Sequence, residues 1–170
     1  MQETTQPVHM PPLPLTGGCQ CGQIRYEISA APMLYYLCHC TQCQRQTASA
    51  FGESLRCESG TVSITGELAT LSWSAESGTR RHGDYCPSCG VRILHRSDAR
   101  PGNVNIKAGT LDDASWLKPA GHSWTRSKRS FVAIPDTDLA YREGPLDGFA
   151  AIAERWKAML EAGRNASSKA

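Results

Sequence analysis

No stretch of this chain is apolar for long enough to cross a bilayer as a helix, and residues 1–18 hold no apolar run of signal-peptide length. The first absence excludes a helical membrane protein and membrane partners. The second favours a protein kept in the reducing cytoplasm. Charge of one sign is lacking as well: 18 basic residues stand against 16 acidic ones, a net charge of +2. That balance is too even for a general nucleic-acid or membrane-surface binder, so any partner must be met by a local patch. Helical stretches between strands are also missing from the middle of the chain, which excludes alternating βαβ units.

Cysteine, by contrast, is abundant. Eight cysteines could make four disulfides in a secreted protein, but in a reduced compartment their close spacing points to metal. The densest stretch is Cys38-His39-Cys40-Thr41-Gln42-Cys43. If the chain from Met33 to Cys40 is extended, Cys38 and Cys40 share a face because strand side chains alternate. A turn at Thr41-Gln42 then brings Cys43 back toward them. Zinc suits clustered thiolates, and three protein ligands leave one tetrahedral corner for water or substrate.

The 170 residues are enough for one domain that buries roughly 70% of its unfolded surface, so metal is not required by small size alone. Residues 1–16 carry four prolines among polar side chains and read as a disordered arm. Gly18-Cys19-Gln20-Cys21-Gly22 opens the domain, which extends over residues 17–135. Short strands are expected at 24–28, 33–40, 50–56, 61–65, 68–73, 79–85, 91–96 and 103–107, punctuated by glycines and pairing in antiparallel fashion. The fold class is therefore mainly β. Residues 136–170 form a linker and a helix on which Phe149, Ile152, Trp156, Met159 and Leu160 recur at helical spacing. Asp147 is placed to cap its start and Gly163 its end. Its apolar face either docks on the protein's own core or makes a homodimer contact.

A third pair lies at Cys86-Pro87-Ser88-Cys89-Gly90. Joined to Cys19 and Cys21 it completes a four-thiolate site, which leaves Cys38, Cys40 and Cys43 as a trio. Spacing alone also permits Cys19 and Cys21 to close on Cys38 and Cys40, with Cys43 joining the last pair.

Taken in order, Gly18-Cys19-x-Cys21-Gly22, then Cys38-His39-Cys40-x-x-Cys43 with Ser49 and Phe51 after it, then Cys86-x-x-Cys89-Gly90 and Gly109-Thr110-Leu111-Asp112 resemble the glutathione-dependent formaldehyde-activating enzyme (GFA) family, also called the CENP-V domain family. The likeness covers about residues 16–135 and implies a mostly β, zinc-bound fold similar to Mss4-like proteins. It implies two zinc ions per chain: a structural one on Cys19, Cys21, Cys86 and Cys89, and a catalytic one on Cys38, Cys40 and Cys43. The implied activity is that of a carbon–sulfur lyase acting on a formaldehyde adduct of glutathione or another small thiol. The sequence departs from the family's common pattern at Gln44-Arg45, where a basic pair is usual, at Ala48, where glycine is usual, and at Phe131, where tryptophan is expected.

Arg45 and Ser49 follow the trio and are candidates for holding an anionic substrate such as the glutathione carboxylates, the arginine through a bidentate fork. His39 lies between two ligands but points to the other strand face, and it reads as a hydrogen-bonded core histidine outside the ligand set. Cys57, alone in a strand, reads as a small buried hydrophobe. The competing function is a non-catalytic zinc-stabilised module that meets protein or nucleic acid through basic loops.

Overall fold

Five consecutive residues with no polar face, Leu34–Cys38, form the buried strand β3 that delivers the first cysteine of the trio. The structure is a computed structural model and describes residues 6–167. Among these the chain is mainly β, with eleven strands and two α-helices. It divides into two compact units, one made of Met33–Ser54 with the chain up to Pro11 and from Trp116 onward, the other of Pro12–Pro32 with Leu55–Ser115. One of the four points at which the chain passes from one to the other falls within β4 (Gly52–Glu58).

In the first unit, β3 pairs in parallel with β10 (Gly121–Ser123), and β10 in parallel with β11 (Leu139–Ala140). Antiparallel pairing was expected throughout. These neighbours depart from it because β3 and β10 are far apart in the chain, so no hairpin sets their direction. The helix α1 (Thr41–Thr47) follows β3 directly, and α2 (Ala150–Ser167) ends the described chain. Ile152, Trp156, Met159 and Leu160 of α2 are buried, each worth about 1.5–3 kcal/mol in removed apolar surface. Trp156 meets the rings of Tyr35 and Trp116 at centroid distances of 6.0 and 6.1 Å, so the helix face is spent on the protein's own core.

Asp147 caps α2 as expected, its carboxylate accepting from the amides of Phe149 and Ala151. Gly163 does not end the helix. It lies within α2, where a Cβ would collide with the carbonyl oxygen of Val8. Val8 is 1% exposed and its amide donates to the Met159 carbonyl at 3.0 Å. Residues 1–5 of the expected disordered arm lie outside the described residues. The remainder departs from that reading: Val8 is packed, and β1 (Leu15–Gly18) begins within it. Proline content had argued for mobility, but one buried valine and a glycine-lined helix face outweigh it.

The second unit holds a three-stranded antiparallel sheet in the order β1, β2 (Arg25–Ile28), β5 (Val62–Thr65). Its other strands form an antiparallel run from the end of β4 through β9 (Asn103–Ile106), β8 (Arg92–Ser97) and β7 (Arg80–Tyr85) to β6 (Ala69–Ser74). Tyr26 and Ile28 turn inward from β2 while Arg25 and Glu27 turn out, the alternation that the sequence predicted. Gly17 is required opposite them, since a Cβ there would strike the Tyr26 hydroxyl, which bonds to Thr110 Oγ1 at 2.9 Å.

Candidate metal centres

Two tight turns build the four-cysteine cluster, and both lie in the second unit. In one, the Cys19 amide donates to the Ile24 carbonyl and the Gly22 amide to the Cys19 carbonyl; in the other, Cys86 and Val91, then Gly90 and Cys86, repeat the pattern. Gly22 and Gly90 have φ of 81° and 74°, a backbone shape that side-chain-bearing residues resist. Each turn therefore points two sulfurs to one side. The four Sγ atoms lie within 4.8 Å of one another. Cys19 to Cys21 is 3.4 Å and Cys21 to Cys86 is 3.7 Å, close to the sulfur–sulfur edge of about 3.8 Å of a tetrahedron with zinc–sulfur bonds of about 2.3 Å.

The charges in this cluster are in conflict until a cation joins it. Burial pushes the Cys19 thiol up, but the Ile24 amide and the neighbouring thiols outweigh it and hold Cys19 at about 6. Cys21 is drawn down by the Gln23 backbone, yet Cys19, burial and the other two sulfurs carry it up to about 12. Four thiolates this close cannot all ionise beside one another unless a positive ion is placed among them. The donor set and its spacing fit zinc.

The trio lies in the first unit and is made differently. Cys38 ends β3, Cys40 is the N-cap of α1, and Cys43 sits in the first turn of that helix. The three Sγ atoms also lie within 4.8 Å of one another, and the group has three members among the described residues. The expected turn at Thr41-Gln42 is the opening turn of α1, which places Cys40 and Cys43 three positions apart on one face. The Cys43 amide donates to Cys40 Sγ at 3.3 Å. Hydrogen bonds from the Cys38 and Cys43 thiols, with backbone amides, draw Cys40 down to about 2, whereas Cys40 pushes Cys38 up to about 11. Gly52 backs the site: a Cβ there would stand 3.3 Å from Cys43 Sγ.

His39 is fully buried and turns away from the sulfurs, as predicted. Its Nε2 lies 3.0 Å from His122 Nδ1, and His122 Nε2 lies 3.4 Å from Asp138, which Arg155 holds at 3.0 Å. Gln44 reinforces the same corner, donating from Nε2 to the carbonyls of His39 and Ser127 at 2.8 Å each. Sequence reasoning missed His122, Asp138, Arg155 and Gln44. No spacing signal could have found the first three, because His122 meets His39 across 83 residues and Asp138 and Arg155 join only through His122, 16 and 17 residues apart in turn. Cys57 is 1% exposed and outside both clusters, as expected.

Arg45 and Ser49 come together in one cavity of about 1010 Å³, lined also by Thr41, Gln44, Ala48 and the segment from Ser127 to Phe131. None of the three thiols lines it. Thr41, Gln44, Arg45 and Ala48 occupy one face of α1, while Cys43 faces Gly52. Among the described residues the guanidinium groups of Arg45 and Arg129 have no hydrogen-bond or ion-pair partner. Ala48 caps α1 with φ of 49°.

Among known proteins, the sequence model of the glutathione-dependent formaldehyde-activating enzyme family matches residues 14–127. A crystal structure of a Rhodobacter sphaeroides protein, a structural-genomics target, is 14% identical to this chain and covers 75% of it and 99% of its own length, with a TM-score of 0.47.

Proposed function

The chain belongs to the glutathione-dependent formaldehyde-activating enzyme family, and from that premise we propose that it is a carbon–sulfur lyase-type enzyme. It joins or parts a small thiol such as glutathione and formaldehyde or a related small carbonyl. In the forward direction the thiol loses its proton, its sulfur bonds to the carbonyl carbon, the carbon–oxygen double bond becomes single, and the oxygen takes a proton. The observation that carries this reading is the trio, three sulfurs within 4.8 Å of one another with no fourth His, Cys, Asp or Glu in the group among the described residues.

Cys38, Cys40 and Cys43 would hold one zinc ion, and Cys19, Cys21, Cys86 and Cys89 a second. Zinc on three thiolates supplies an open position at which a thiol ionises below its ordinary value of about 8.5. The residues of the chain set that position. The Cys43 amide orients Cys40 Sγ, Gly52 leaves room for Cys43 Sγ, and the His122 contact keeps the His39 ring off the sulfurs. Arg45 and Ser49 hold the carboxylates of the thiol. Thr41, next to Cys40, lines the same cavity as Arg45, so a tripeptide-sized thiol has roughly one helical turn, about 5.4 Å, to cover between them.

Thiols add to formaldehyde unaided, so the test is acceleration over that background. Elemental analysis of the intact protein should give two zinc ions per chain. Exchange spectroscopy should show glutathione and its hydroxymethyl adduct interconverting faster with protein than without, and Cys40→Ser should return the rate to background. Exchange at the background rate in fully zinc-loaded protein would sink the proposal and favour a non-catalytic binding module.

A further inference from the structure

In the second unit, the strands from β4 to β6 sort their charges by face. Cross-strand partners share a face, and the register places Arg56 opposite Asn105, Asn105 opposite His95, and His95 opposite Gly83. Arg81, opposite Ser97, and Trp73, opposite Arg81, lie one step along the same face. Lys107 follows Asn105 by two, its amide still bonded to the Ile93 carbonyl at 2.8 Å. Arg92 joins them through the irregularity at Asp84 and Tyr85: its guanidinium lies over Gly83, where a Cβ would collide with it, and 5.3 Å from the Trp73 ring.

Two acids on or beside these strands, Asp84 and Asp98, are on the opposite face. Asp84 takes two bonds from Arg96, at 2.7 and 2.9 Å, and one from Thr70, while Asp98 bonds to His82, which pairs with Arg96. Glu58 shares the basic face by alternation, but it is exposed at the far end of β4. Burial, then the charges of Lys107, Arg81, Arg56 and Arg92, hold His95 well below its ordinary value. Every one of those charges is positive. Arg56 and Lys107 are 5% and 6% exposed, so the repulsion is poorly screened by water. His95 Nδ1 and Ser97 Oγ are buried on this face without a hydrogen-bond partner among the described residues.

We propose that this face is a binding site for a small oxyanion, the carboxylate or phosphate group of an organic ligand, held among Arg56, Lys107 and His95. An anion here is drawn by the positive charges around His95 and gives the buried His95 Nδ1 and Ser97 Oγ something to bond. Trp73 and Leu71, which is 55% exposed and opposite Gly83, offer a surface to the ligand's apolar part. The cysteine trio plays no part in the reasoning, so this site stands or falls separately from the proposed reaction.

The test uses the zinc-loaded full chain and follows the His95 ring resonances by NMR during titration with inorganic phosphate in one arm and succinate in another. A saturable shift in either arm, with a matching rise in Tm, is expected, and the tighter arm identifies the group. Lys107→Met and the half-exposed Arg81→Gln should each weaken binding about tenfold. Arg80→Gln, exposed and of opposite alternation, should leave it unchanged. No saturation in either arm, or equal weakening by Arg80→Gln, overturns the site.

Discussion

His39 Nε2 lies 3.0 Å from His122 Nδ1, tying the residue between two trio cysteines to a strand formed more than eighty residues later. Asp138 accepts from His122 Nε2–H, which leaves His122 Nδ1 to accept from His39. Replacing His122 with alanine strands a buried ring nitrogen, so His122→Ala should cost about 1–3 kcal/mol in denaturant unfolding. An unchanged midpoint would mean that the pair carries no stability.

The two clusters should fail differently. Cys89→Ser removes one of four ligands to a site expected to contribute on the order of 10 kcal/mol toward folding, and should leave the protein largely unfolded by circular dichroism. Cys40→Ser should lose one zinc and all acceleration while the fold persists. Equal unfolding by both variants would count against the split into structural and reactive sites.

Stability should fall in mild acid. Burial holds both His95 and His122 below the ordinary histidine value of 6.5. Below 6.5 the unfolded chain therefore binds protons that the folded protein refuses, so stability is fully present above 6.5 and declines as pH drops beneath it. Thiolate protonation adds to the decline in both proteins of a matched pair. A shallower fall of Tm with pH in His95→Gln than in the parent isolates the histidine part.

At Gly163 the expected helix-stabilising effect of alanine should be reversed. Gly→Ala inside a helix ordinarily gains about 1 kcal/mol, but here the added carbon meets the Val8 carbonyl. Gly163→Ala should lower Tm and open residues 6–11 to proteolysis. A raised Tm would show that Val8 yields without cost.

Ala48 gives the opposite case. Its φ of 49° costs an alanine about 1–2 kcal/mol that glycine avoids, against glycine's greater freedom when unfolded. Ala48→Gly should stabilise by about 0.5–1 kcal/mol, read from the urea midpoint.

Much of the architecture was legible because it depends on local pattern. The alternation Ile24, Tyr26, Ile28 marked β2, the apolar run before Cys38 marked β3, and the spacing of Ile152, Trp156 and Met159 marked α2. Turn glycines after Cys21 and Cys89 likewise announced the knuckles. Illegible were β10 and β11, three and two residues long, and the packing of Val8, since each exists only through a partner distant in sequence.

By itself, then, the sequence determined the kind of protein and the local cysteine pairs and turns from which clusters are built, because strand alternation, glycine turns and thiol spacing act over a few residues. Only the tertiary structure decided which cysteines meet, that His122 and Asp138 stand behind His39, that Arg45 shares a cavity with Arg129 and not with the thiols, and that four cations gather around His95. Those relationships join residues tens of positions apart, and their distances are fixed by how strands register and pack.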